Sequence, residues 1–189
     1  MTELTPTESA LLAELIAQAG SRKLKYLPFW GHTPSAPGAI DKSCLSQWYP
    51  LAFELDGIRY ATAEHYMMMR KALLFGDTAI AAQIIQAGNP AEAKKLGRQI
   101  ANYDEARWRA ARFDVVTQGN LAKFAQNPAH LAYLLDTRER VLVEASPVDA
   151  IWGIGLAADH PHIEQPARWK GPNLLGFALM QAREQLRKG

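Results

Sequence analysis

Apolar positions along the chain follow two different periods. Leu11, Leu12, Leu15 and Ile16 recur at helical spacing behind Thr5-Pro6-Thr7-Glu8. A threonine cap, a proline at the first helical position and a glutamate three residues on make that tetrapeptide a helix start. Gly20 is placed to end the helix in a left-handed conformation. Residues 26–50 change character, mixing prolines, glycines and aromatics. Proline withholds a backbone donor and glycine loosens the chain, so this stretch predicts a short strand near Phe29-Trp30 and then a long loop. Two alternating segments, LAFEL and IRY, then flank Asp56-Gly57, a dipeptide that tolerates the positive φ angles of a tight hairpin turn.

From Thr62 onward the period is helical. Ala63 to Phe75 carries no breaker and stops at Gly76, and Asp77 caps a segment ending at Gly88. Asn89-Pro90-Ala91-Glu92 opens a further helix. Asp104 opens a long one through Trp108, Phe113, Val116, Leu121 and Phe124, which Pro128 interrupts. A short helix near Leu131–Leu135 and a brief β-branched strand at Val141-Leu142-Val143 follow. An irregular proline-bearing stretch over 146–172 leads to a last helix capped by Asn173. The predicted class is α+β, predominantly α-helical with a small antiparallel sheet. Residues 1–20 form an N-terminal helical extension and residues 21–189 one domain, with no internal repeat or linker.

Composition narrows the function classes. At 189 residues, with 48% hydrophobic and 21% charged, the chain is an ordinary globular one and long enough for one solid core. The net charge of +2 is too small to point to nucleic acid or membrane by bulk electrostatics, and the short cluster Arg22, Lys23, Lys25 reads first as a solvated surface. One cysteine, Cys44, cannot form an internal disulfide. No apolar run approaches the roughly 20 residues that cross a bilayer, and the acidic start lacks a basic leader. The expectation is a soluble cytoplasmic protein.

Two segments carry candidate chemistry. On the helix after Thr62, Glu64 and Lys71 lie within about 20° of each other around the axis and roughly 10 Å apart along it. That is too far for a helical ion pair but enough to hold a small molecule over Met67 and Met68. A first-turn acid stabilising its own helix beside a solvated lysine accounts for the same residues. The second segment runs from Val143-Glu144 through Ser146-Pro147, Asp149 and Trp152-Gly153 to Gly155. There an acid, a stacking aromatic and close-approach glycines share a turn-rich stretch, or else a Ser-Pro turn leads to Asp149 capping a short helix, with Trp152 packed in the core. His160 and His162 form no recognisable metal pattern, Cys44 has no histidine at a nucleophile's spacing, and no phosphate loop or serine elbow is present. Gly97-Arg98 can offer a guanidinium to phosphate or simply end a helix.

From about Phe29 to Leu186 the ordered set of motifs resembles the NADAR (YbiA-like) family. The set is Leu45-Ser46-Gln47-Trp48-Tyr49-Pro50, the Asp56-Gly57 hairpin, Glu64-His65-Tyr66 with Lys71-Ala72, Gly97-Arg98, Trp108, Lys123-Phe124, Leu142-Val143-Glu144, Asp149 with Trp152-Gly153, and Gly171 with Asn173 and Leu175-Gly176. The resemblance implies an N-glycosidase that cleaves a ribosyl C–N bond, with neither metal nor redox cofactor. Members similar to this chain act on phosphoribosylated aminopyrimidine intermediates of riboflavin biosynthesis, releasing ribose 5-phosphate, a disposal of damaging metabolites. Other branches remove ADP-ribose from guanine in nucleic acid, and a module that only binds ADP-ribose is a third possibility. Matched onto this chain, Glu64 and Asp149 are the candidate acid and base, with their roles unassigned, and Lys71 is a candidate Schiff-base amine. Trp108 and Trp152 would sandwich the base beside Gly153, and Arg98 and Asn173 would hold phosphate or ribose hydroxyls. The partner implied is a small phosphoribosyl substrate, with nucleic acid only under the second reading and no membrane.

Overall fold

The computed structural model describes residues 3–188. Helix α1 (Pro6–Ser21) leads to strand β1 (Tyr26–Phe29), a single 3-10 turn (Lys42–Leu45), and the hairpin β2 (Phe53–Leu55) and β3 (Ile58–Tyr60). Then come α2 (Ala63–Leu74), α3 (Thr78–Gln86), α4 (Pro90–Leu96), α5 (Glu105–Ala125), α6 (Pro128–Asp136), β4 (Val141–Glu144), a second 3-10 turn (Pro166–Arg168) and α7 (Leu174–Lys188). The long helix α5 is central: α2, α6 and α7 pack on it, and α7 also backs β4. Phe124, Leu142, Ile84 and Leu179 are fully enclosed in the resulting core.

The start signals act as the sequence predicts. Thr5 Oγ1 accepts the Glu8 N–H at 3.2 Å and Glu8 Oε2 accepts the Thr5 N–H at 2.8 Å, a closed capping box. Asp77, Asn89 and Asp104 each accept a backbone N–H three residues on. Asp56 and Gly57 adopt φ of 53° and 74°, so both central residues of the hairpin turn are left-handed, the geometry that suits the strands' twist. α1 differs from expectation: it runs through Ser21 and ends on an extended Arg22, without a left-handed Gly20.

The sheet is two separate pairs. β2 and β3 are antiparallel, as the hairpin dictates, whereas β1 pairs in parallel with β4, Tyr26 opposite Val141 and Phe29 opposite Glu144. A parallel pair needs a long crossover, and here everything from the first loop to α6 lies between its strands. Local pattern cannot reveal such a pairing. β1 also ends at Phe29, leaving Trp30 exposed in the loop beyond. That loop is bolted down rather than loose. The ammonium of Lys123, buried in α5, donates to the carbonyls of Cys44 at 2.7 Å and Ser46 at 2.9 Å. Asp41 accepts the Ser43 and Ser35 N–H groups, and hydrogen bonding from the Ser43 and Ser35 side chains first, then from these N–H groups, holds its carboxyl far below the usual range.

Helix α1 is tied to α5 by a buried two-point ion pair, with Arg112 Nε 2.8 Å from Glu8 Oε1 and Nη2 2.9 Å from Glu8 Oε2. Among the described residues no helix is long and apolar enough to cross a membrane.

Candidate active site

Thr62 caps α2 with its hydroxyl, which accepts the His65 N–H and also bonds His65 Nδ1 at 2.8 Å. The ring's other nitrogen lies 3.1 Å from the Ala87 carbonyl and therefore carries the proton. His65 is thus a fixed core group, and it holds the first turn of α2 rigid. In that turn the Glu64 N–H donates to the Gln47 carbonyl at 3.0 Å, and its side chain is only 3% exposed. Glu64 Oε1 has no hydrogen-bond partner among the described residues. Burial pushes the carboxyl up to about 7. Lys94, a hydrogen bond from the Trp48 side chain and Lys71 pull the other way, while the Asp149 charge adds to the rise. The favourable helix start expected for Glu64 is therefore outweighed by the loss of water.

Two adjoining cavities meet at Glu64, Lys94 and Trp152. The larger, about 410 Å³, is of the size that takes a small ligand. Its wall includes Glu64, Glu144, Asp149, Ser146, Trp48 and Trp30. The smaller, about 210 Å³, runs along α2 past Met67 and Met68 to Lys71, with Arg98, Tyr103 and Trp108 opposite. Sequence-predicted residues are thus divided: Asp149 faces the larger space, Lys71, Arg98 and Trp108 the smaller, and Glu64 and Trp152 both. Lys71 Nζ donates to the Gly97 carbonyl at 3.2 Å and lies 4.3 Å from the centre of the Tyr103 ring. Burial lowers its ammonium below the ordinary lysine value, against the nearby charges of Glu105 and Glu64. Arg98 is exposed and has no ion-pair partner among the described residues.

Asp149 Oδ1 accepts the N–H groups of Ile151 and Trp152, both at 2.8 Å, so a turn rather than a helix is capped there and the carboxylate is aimed. Asn173 and Gly153 take other tasks than those expected. Asn173 is fully buried, its amide spanning β4 by accepting the Glu144 N–H at 2.9 Å and donating to the Leu142 carbonyl at 2.9 Å. Fully enclosed, it is out of reach of a ribose hydroxyl, and its backbone is left-handed at φ 62° just before α7. Gly153 lies against β4: a Cβ there would stand 2.8 Å from the Glu144 carbonyl and 2.9 Å from that of Asp149. Its bareness lets the Asp149 turn close on the strand rather than admitting substrate. Gly153→Ala should accordingly lower stability by about 1–3 kcal/mol, as overpacking does. It should also cut activity by shifting both acids, and denaturant titration with an activity assay on the same preparation checks this.

Three residues of the larger cavity were not singled out from sequence as site residues. Glu144 has a buried Oε2 without a partner, and its carboxyl is pushed up to about 8 by burial and then by Asp149, against Lys94. Its signal was a carboxylate at the end of a fully buried strand, Val141 to Val143. Trp48 lies in a motif that carried the resemblance, whereas Lys94, with Nζ 5.8 Å from the Trp48 ring, had no signal beyond a helical lysine pair. Among the described residues no three His, Cys, Asp or Glu side chains come together as a metal-binding group; the His160 and His162 rings lie tilted, 5.2 Å apart, and the His162 N–H donates to His160 Nδ1 at 3.1 Å.

An orphaned buried carboxyl oxygen, an aimed aspartate and several indoles thus line one cleft, and comparison with known proteins gives its class. The NADAR domain profile matches residues 28–187, and the chain belongs to the NADAR family. N-glycosidase R617 of Acanthamoeba polyphaga mimivirus is 42% identical over 166 residues, 85% of this chain and 96% of that protein. N-glycosidase YbiA of Escherichia coli is 32% identical over 133 residues, 70% and 74% of the two chains. The NMR structure of E. coli YbiA superposes with a TM-score of 0.70 at 28% identity, covering 88% of each chain. The enzyme class is N-glycosidase.

Proposed function

We propose that this N-glycosidase hydrolyses the ribosyl C–N bond of phosphoribosylated aminopyrimidine intermediates of riboflavin biosynthesis, releasing ribose 5-phosphate and removing reactive metabolites. The observation that carries the reading is the Glu64 carboxyl, buried, unpartnered at Oε1 and set in the wall of a ligand-sized cavity that it shares with Asp149. Breaking an anomeric C–N bond builds positive charge on the sugar, so a fixed anion beside the anomeric carbon stabilises the transition state more than the ground state. Asp149, held by two backbone N–H groups, suits that place. Glu64, poised near neutrality, suits proton transfer to or from water.

The smaller cavity offers the rest of the substrate its contacts. Lys71, Lys94 and Arg98 supply cations for a phosphate, and Trp108 and Trp152 supply apolar faces for a planar base. A glycosylamine also opens to an imine, into which the partly desolvated Lys71 amine can exchange as a Schiff base. Incubating the purified protein with freshly prepared aminopyrimidine ribosylamine phosphate should release ribose 5-phosphate, measured enzymatically. No release from a folded protein rules the substrate out.

One observation favours a longer substrate: Trp30, 58% exposed, and Val148, 86% exposed, flank the larger cavity. An ADP-ribosylated guanine in an oligonucleotide would reach them, so release of ADP-ribose from that substrate, in preference to the small one, selects this second reading.

A further inference from the structure

We infer that Glu144 is the acid of this site, the group that delivers a proton to the departing nitrogen. The inference rests on the N-glycosidase reading and assigns a step that Glu64 and Asp149 leave open. Glu144 closes β4, and its backbone is held on both sides: its N–H donates to Asn173 Oδ1 at 2.9 Å, and its carbonyl accepts the Ile154 N–H at 3.0 Å. The side chain is therefore presented to the larger cavity by the most buried strand of the fold. A buried carboxyl oxygen with no partner is unfavourable in a folded protein unless a ligand completes it. This cavity holds two, Glu144 Oε2 and Glu64 Oε1.

The surroundings decide which of the two keeps its proton. The charged and titratable groups facing the cavity are Glu64 from α2, Lys94 from α4, Asp149 from the turn after β4 and His32 from the loop after β1, while α7 contributes only the apolar Leu175. Burial raises the Glu144 carboxyl first, the Asp149 charge raises it further, and Lys94 only partly offsets them, giving about 8. Glu64, nearer to balance because Lys94, Trp48 and Lys71 all favour its anion, reaches about 7. Burial raises both carboxyls, and Glu144 has fewer compensating groups than Glu64, so Glu144 suits the proton-holding role and Glu64 the proton-accepting one in the same cavity.

The step balances. As the anomeric C–N bond breaks, its electron pair goes to nitrogen, which takes the Glu144 proton and leaves as the amine. Water adds its oxygen to the anomeric carbon and gives a proton to the Glu64 carboxylate. Proton exchange with solvent then restores both carboxyls, and the net change is addition of water.

The test compares two leaving groups in Glu144→Gln. On the aminopyrimidine ribosylamine phosphate, whose amine cannot depart without a proton, kcat should fall by about 10²–10⁴-fold. On a 4-nitrophenyl riboside 5-phosphate, whose phenolate needs none, it should fall less than about tenfold. In the wild-type protein the fall in kcat/KM above pH 8 on the amine substrate should disappear with the nitrophenyl one. Equal loss on both substrates, or none on the amine, overturns the assignment while leaving the glycosidase reading standing. A wild-type protein that cleaves neither overturns both. Thermal unfolding checks that Glu144→Gln is folded. Glu144→Asp, which keeps the acid but withdraws it by one methylene, should show the same leaving-group bias in weaker form. Infrared spectra of the free Glu64→Gln protein at pH 7 should also hold a protonated-carboxyl band that a further Glu144→Gln removes, and its absence from Glu64→Gln sinks the assignment without any substrate.

Discussion

Glu64→Gln should abolish turnover and make the protein more stable. The substitution keeps the shape of the side chain but removes its ability to ionise, so kcat is expected to fall by about 10³-fold or more while substrate affinity, measured by calorimetry, changes little. The stability half follows from the raised carboxyl. Below pH 4.5 Glu64 is protonated whether the chain is folded or not, and it costs nothing. Between 4.5 and about 7 the unfolded chain ionises and the folded one resists, so stability drains away as pH rises through that window. Above about 7 the loss is complete, at roughly 3 kcal/mol, the equivalent of the interval between the two values. Glutamine has no such loss. The variant and the wild type should therefore unfold alike near pH 4, while the variant should melt several degrees higher at pH 8. Equal melting at both pH values would mean that the Glu64 carboxyl is solvated, and a large loss of affinity would make it a binding group rather than a catalytic one.

Glu8→Ala should have the largest effect on folding of any single change away from the cleft. Its carboxylate takes the Nε and Nη2 donors of the Arg112 guanidinium, the two side chains are 0% and 1% exposed, and Oε2 also closes the capping box of α1. Cutting such a pair leaves a cation stranded in the core with only the Glu3 carbonyl, 3.4 Å away, and costs about 3–5 kcal/mol. For a chain of this length that is a fall in Tm of about 10 °C or more. Arg112 also lines the smaller cavity, so residual activity should fall through KM as that wall loosens. Replacing both partners by apolar residues, Glu8→Leu with Arg112→Met, should recover most of the lost stability, because the cost lies in the unpaired charge and not in the lost attraction. If Glu8→Ala melts within a degree or two of the wild type, the pair contributes no more than a surface ion pair.

The helix lying outside the family match is therefore part of what holds the cleft. Its own sequence showed where it starts, through Thr5, Pro6 and Glu8, but Glu8 read as a cap alone. That its carboxylate also serves Arg112, 104 residues away, is a tertiary fact.

What the sequence by itself determined is local. Caps at Thr62, Asp77, Asn89 and Asp104, the Asp56-Gly57 turn and the helical stripes depend on groups a few residues apart, so their physics is complete within a short window. The same holds for the shared face of Glu64 and Lys71, which helix geometry alone imposes. The motif order was likewise enough to bring Glu64, Asp149, Trp108 and Trp152 forward as candidates. Tertiary structure decided everything that depends on which distant segments exclude water together. It paired β1 with β4, left Glu64 Oε1 and Glu144 Oε2 without partners, added Lys94 and Trp48 to the cleft, and spent the Asn173 amide on a strand. Proton affinity belongs to this second group. A carboxyl's tendency to ionise is set by lost hydration and by charges brought near from other elements, neither of which a linear chain contains.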